Sequence, residues 1–131
     1  MSGVNGGLVF CHCRECRRSS GSAFIAVFPV PLAAFALDDP YGLVREYRAS
    51  TNKARCFCAG CGSPLFSRRD GADNVRVRAG LFEALPGLPQ EGHIFTAEAA
   101  VWCEARDELP RYPAFEPGRD PGIKEESPCH D

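Results

Sequence analysis

No apolar run in the 131 residues approaches the roughly 18 to 20 needed to cross a bilayer. The opening Met1 to Gly7 also has neither the basic start nor the apolar centre of a secretory leader. A soluble, cytoplasmic protein with no membrane partner is expected, and a reducing compartment would keep its cysteines as thiols. Strong net charge is missing too: 15 Lys and Arg against 17 Asp and Glu give −2 at pH 7. Without a globally basic balance, or the aromatic-basic signature of ribonucleoprotein modules, nucleic acid is not the expected partner. Charge is nonetheless uneven, with a net +5 over residues 1–80 and −7 over residues 81–131. There is no low-complexity tract and no solenoid repeat. The length suits one domain able to bury about two-thirds of its unfolded surface.

Cysteine, by contrast, is plentiful. Six of eight sit in two triplets of equal spacing, Cys11-x-Cys13-x-x-Cys16 and Cys56-x-Cys58-x-x-Cys61. A thiolate is a soft ligand on a short side chain, and C-x-x-C in a tight turn lets two sulfurs converge on one ion at about 2.3 Å. Zinc is the first expectation; disulfides are disfavoured because secreted frameworks rarely cluster cysteines so closely.

The remaining pattern is of short strands punctuated by turns. Ala23 to Phe28 is a continuous apolar, β-branched and aromatic run that stops at Pro29 and Pro31, as a buried strand would. Val75-Arg76-Val77-Arg78 alternates strictly, with valines for a core and arginines for water or a site. Leu43 to Arg48, Leu65 to Arg69, His93 to Thr96 and Ala100 to Cys103 complete the strand candidates, and Pro29 to Phe35 has room for one short helix. The class is all-β. From Pro110 prolines and charges dominate, so the domain is set at 1–112 and 113–131 is expected to be a mobile tail. Its Cys129-His130 pair would lose much conformational entropy on binding a metal and is read as incidental.

The triplets differ chemically. Cys11, Cys13 and Cys16 offer three sulfurs from one segment. Zinc there either keeps an open fourth position for water or a substrate thiol, or is closed by a further cysteine. Cys58-Ala59-Gly60-Cys61-Gly62-Ser63-Pro64 reads as a structural zinc knuckle that needs two more ligands, with Cys56 and Cys103 as candidates. Phe24, Phe28, Phe66 and Trp102 are read first as core and second as pocket walls.

Three stretches carry a resemblance: Cys11-His12-Cys13-Arg14-Glu15-Cys16 through Phe24; Phe57-Cys58-Ala59-Gly60-Cys61-Gly62-Ser63-Pro64-Leu65-Phe66; and His93-Ile94-Phe95-Thr96. Over about residues 8 to 112 the chain resembles the glutathione-dependent formaldehyde-activating family, also called the centromere-protein-V/GFA domain. The resemblance implies a Mss4-like, or β-tent, zinc fold of small antiparallel sheets. It makes Cys11, Cys13 and Cys16 the ligands of a catalytic zinc, and Cys58 and Cys61 half of a structural four-cysteine site. The family's other half, a C-x-C-G segment followed by a strand pair, has no counterpart in residues 1–10. Cys56 with another sulfur is the favoured repair, the alternatives being one zinc shared by the two triplets or a site that binds nothing, and the unpaired sheet edge left by a missing strand pair suggests a homodimer.

The function implied is a zinc-dependent carbon–sulfur lyase acting on a thiol adduct of the glutathione–formaldehyde type. Arg14, Arg17 or Arg18 would attract the thiol's carboxylates and His12 would carry a proton. The alternative is a non-catalytic zinc module that binds protein or nucleic acid, with Arg76 and Arg78 on its contact face.

Overall fold

The computed structural model describes residues 6–116. Along the chain come β1 (Leu8–Cys11), α1 (Arg14–Ser20), β2 (Ile25–Pro31), β3 (Val44–Ser50), β4 (Lys53–Cys58), β5 (Pro64–Arg69), β6 (Asn74–Arg78) and β7 (Gln90–Ile94). Short 3-10 turns follow at Leu32–Ala34, Ala79–Leu81 and Thr96–Glu98. The protein is all-β, as its strand pattern implies. The strands form one seven-stranded sheet in the order β3-β4-β5-β6-β2-β1-β7, rather than separate small sheets. Continuity comes from β1, which pairs antiparallel with β2 on one side and parallel with β7 on the other.

Alternation along each strand sorts the sheet into two chemically different faces. Cys56, Phe66, Val77 and Phe28 stand opposite one another across four strands. With Val75 they make a buried apolar layer in which Phe28 is 0 % exposed. Fully burying such a side chain is worth about 1.5–3 kcal/mol. The row one residue along reads Arg55, Ser67, Arg76 and Pro29, and belongs to the other face. There Val9, Val27, Ile25 and Ile94 pack with Cys11, Cys13, Cys16 and Phe95 in a second cluster.

Several expectations change. The strand begun at Ala23 does not stop at its prolines, since β2 runs through Pro29 to Pro31. Pairing with β1 ends at Val9↔Val27, so both prolines lie beyond that ladder, where a missing N–H breaks no bond to it. Ala100 to Cys103 is a turn closed by Cys103 N–H to Ala100 O, not a strand, and Trp102 is 68 % exposed. Strand β7 ends at Ile94 because Phe95 adopts φ +55°, the left-handed region. The packed body extends past 112: Ala114 O accepts from Phe95 N–H, Phe115 packs on the second cluster, and Glu116 pairs with Arg76. Cys129 and His130 lie outside the described residues.

Candidate functional site

Cys11 is the last residue of β1, held between Ile25 of β2 and Ile94 of β7. Two residues later Cys13 starts α1. Its extended backbone (φ −63°, ψ 152°) aims the side chain back at the helix, where Sγ accepts from Cys16 N–H at 3.3 Å. A sulfur therefore fills the place usually taken by a Ser or Asp oxygen at a helix start. Gly21, at φ +65°, terminates the helix in the left-handed conformation that glycine adopts without steric cost. Glu98 anchors the same segment, its carboxylate accepting from Arg14 N–H and its carbonyl from Arg17 Nη1.

This strand-turn-helix brings the sulfurs of Cys11, Cys13 and Cys16 within 4.8 Å of one another, all three buried. The cluster shares its ionisation unequally. Cys16 is held well below the usual thiol range by donation from Cys11 and Cys13 and by the nearby Arg55 guanidinium. Cys11 is pushed well above it by the same hydrogen bonds and by burial. Arg55 of β4 reaches over the cluster, with Nη2 3.8 Å from Cys16 Sγ and 4.0 Å from Glu15 Oε2, and Nη1 bonded to Ser19 Oγ. Three buried soft donors on one point, with a cation beside them, suit a thiophilic metal ion such as zinc.

The three cysteines are part of the lining of a cleft of about 760 Å³. Lys53, Ser67, Arg68, Arg69, Arg76 and Arg78 line it from β4, β5 and β6, and Phe95, Tyr112 and Phe115 supply its aromatic wall. Burial pulls Lys53 down to about 8 and Arg78 down to about 10. Arg14, Arg17 and Arg18, expected to attract an anion, are on α1 outside this lining. Phe28 and Phe66 are core, and neither Phe24 nor Trp102 lines the cleft. The alternating arginines of β6 were the one sequence signal for the cleft's actual cations.

His12 is not among the converging ligands. Its Nε2 lies 2.7 Å from His93 Nδ1, and His93 Nε2 lies 2.9 Å from Asp107. An ionised carboxylate only accepts, so His93 Nε2–H donates to Asp107. A His93 Nδ1 that carries no proton accepts from His12 Nε2–H, and the buried His12 Nδ1 has no hydrogen-bond partner among the described residues. Burial and the neighbouring His93 lower the His12 pKa.

In the second triplet, Cys58 and Cys61 share the turn between β4 and β5, tightened by Cys58 N–H to Ser63 O and Gly62 N–H to Cys58 O. Cys61 is exposed, and its Sγ is 3.1 Å from Ser63 Oγ. Cys56 is not gathered with them. It sits mid-strand between Glu46 and Phe66, and its side chain is held in the apolar layer. Cys103 is partly buried in its own turn. Among the described residues, Cys11, Cys13 and Cys16 are the one group of three or more potential ligands that converge.

The family model for the glutathione-dependent formaldehyde-activating enzyme matches residues 2–103, spanning both triplets and β1 to β7. The chain belongs to the GFA family. No match is found among the curated proteins. The seven-stranded, all-β architecture with one helix is consistent with the Mss4-like GFA fold; GFA membership points to glutathione-dependent activation of formaldehyde, and the three sulfurs are placed so that they could hold a metal ion.

Proposed function

We propose that this GFA protein is a zinc-dependent carbon–sulfur lyase that makes or breaks the adduct of formaldehyde with glutathione or a similar thiol. Cys11, Cys13 and Cys16 are the zinc ligands, and the cleft beside them is the adduct site. The observation that carries this reading is the buried three-sulfur cluster opening onto a basic cleft in a chain of this family. Zinc on these sulfurs would supply Lewis acidity, lowering the cost of thiolate charge.

The reaction balances without an oxidant or reductant. In the forward direction the thiol S–H bond breaks and a C–S bond forms to the aldehyde carbon. The carbonyl electron pair moves to oxygen, which takes the proton and becomes the hydroxyl. Breaking the adduct reverses each change. The chain's own residues orient and shield. Arg55 holds positive charge beside Cys16, while Val9, Ile94, Phe95 and Phe115 give the cleft an apolar side that limits water.

Cys58 and Cys61 are proposed as a second, structural zinc half-site whose remaining ligands lie outside the converging group. Zinc per chain, measured on protein purified under reducing conditions, should fall in Cys13→Ser and, separately, in Cys58→Ser. Interconversion of 13C-formaldehyde and its glutathione adduct, followed by exchange NMR, should be accelerated by the zinc-loaded protein and not by Cys13→Ser. Exchange at the uncatalysed rate, with one zinc lost in both variants, would point to a closed structural site and end the lyase reading.

A further inference from the structure

Resting on the proposed thiol chemistry, we infer that Arg78 is a carboxylate-binding point in the cleft that orients an anionic thiol by its acid group.

Arg78 is 6 % exposed, yet no carboxylate among the described residues pairs with it. Its Nη1 donates only to neutral oxygens, Ser67 Oγ at 3.3 Å and Arg76 O at 3.4 Å, and its buried Nε has no partner. A buried guanidinium without a counter-ion is costly, and such groups ordinarily find an anion. The other arginines close by are already engaged. Arg55 faces Glu15 and Cys16, Arg76 holds Glu116 at 2.8 Å, and Arg68 holds Glu46 at 2.6 Å.

Position completes the case. Arg78 is the register partner of Val27 on β2, and both line the same cleft as the three cysteines. Three thiolates with one divalent ion would carry a single negative charge, which Arg55 already faces at 3.8 Å. Arg78 has no carboxylate counter-ion among the described residues. A planar fork such as Arg78's matches a carboxylate in bidentate geometry. The ligand class is an acyclic thiol bearing at least one free carboxylate. A neutral thiol of similar size would lack the anchor.

The test is calorimetric titration of the metal-loaded protein with three probes: glutathione, its diethyl ester, and glutarate, a dicarboxylate without sulfur. The wild type should bind glutathione at least about 10-fold more tightly than the ester, and Arg78→Gln should abolish most of that preference. Metal content should stay the same, with Arg78→Lys intermediate. Equal affinity for acid and ester in the wild type, or no binding of any carboxylate probe, would overturn the subsite. So would a folded Arg78→Gln that keeps the full preference. Glutarate binding that depends on Arg78, with no binding of glutathione, would leave the anion subsite standing and remove the thiol reading. Should Arg78→Gln fail to fold or to hold metal, the wild-type ratio of acid to ester decides.

Discussion

Cys16 N–H donates to Cys13 Sγ across 3.3 Å, so one sulfur both starts α1 and belongs to the converging cluster. The two roles separate by substitution. Serine at an N-cap retains an acceptor and alanine does not, a difference of about 1 kcal/mol. Cys13→Ser should therefore match the wild type in urea unfolding of chelator-treated protein, with Cys13→Ala less stable by about that amount. Both should lose the zinc proposed for the first triplet. Equal zinc in wild type and Cys13→Ser would mean the ion is held elsewhere.

Arg55 contributes charge beside Cys16 without being a ligand. Groups supporting a metal's ligands typically affect affinity by about 10- to 100-fold. Arg55→Met should weaken zinc retention within that range in competition with a chromophoric chelator, while circular dichroism stays unchanged. Unaltered affinity would reduce Arg55 to a partner of Glu15.

The buried layer of the sheet and the exposed turn at 100–103 should respond differently to truncation. Phe28 is fully buried, and Phe28→Ala should cost about 3–5 kcal/mol in denaturant unfolding, through lost transfer energy and a cavity. Val101, 101 % exposed, should tolerate Val101→Ala within about 0.5 kcal/mol. Similar losses at both positions would contradict the observed packing.

Gly92 has φ +151°, and a Cβ there would stand 2.6 Å from Pro110 O. That carbonyl accepts from His93 N–H and fixes the segment that covers the outer edge of β7. Gly92→Ala should destabilise by more than about 1 kcal/mol and raise amide exchange at His93 and Tyr112 first. Unchanged exchange there would show that the edge accommodates a side chain.

The carboxyl of Asp107 is held below its ordinary range by its hydrogen bond to His93 and then by Leu109 N–H. A depressed carboxylate pKa stabilises the fold above the unfolded-state value, and that contribution disappears as pH falls through the folded-state value. Asp107→Asn should melt earlier than the wild type at neutral pH, with the two melting temperatures converging in acid. A gap that persists below the carboxylate range would assign the effect to packing rather than charge.

Much of the site's chemistry was legible along the chain because it is local. Cys11, Cys13 and Cys16 fall within six residues, and one strand end plus one short helix suffice to gather their sulfurs. The alternation of Val75, Arg76, Val77 and Arg78 likewise announced a two-faced strand, since side chains on a strand change face at every residue. Helix α1 was not legible: seven residues are too few for a helical period, and its N-cap is a cysteine.

What the sequence by itself determined was the all-β class, the family and the converging triplet, because strand period and C-x-C-x-x-C spacing are encoded over a few residues. Tertiary structure alone decided which cations meet the sulfurs, and that Cys56 joins the apolar layer instead of Cys58 and Cys61. It also decided that His12 bonds to His93, 81 residues away. Those outcomes depend on the register between β4, β5, β6 and β2 and on the order in which distant strands adjoin. Hydrogen bonding across the sheet sets both, and no local spacing encodes them.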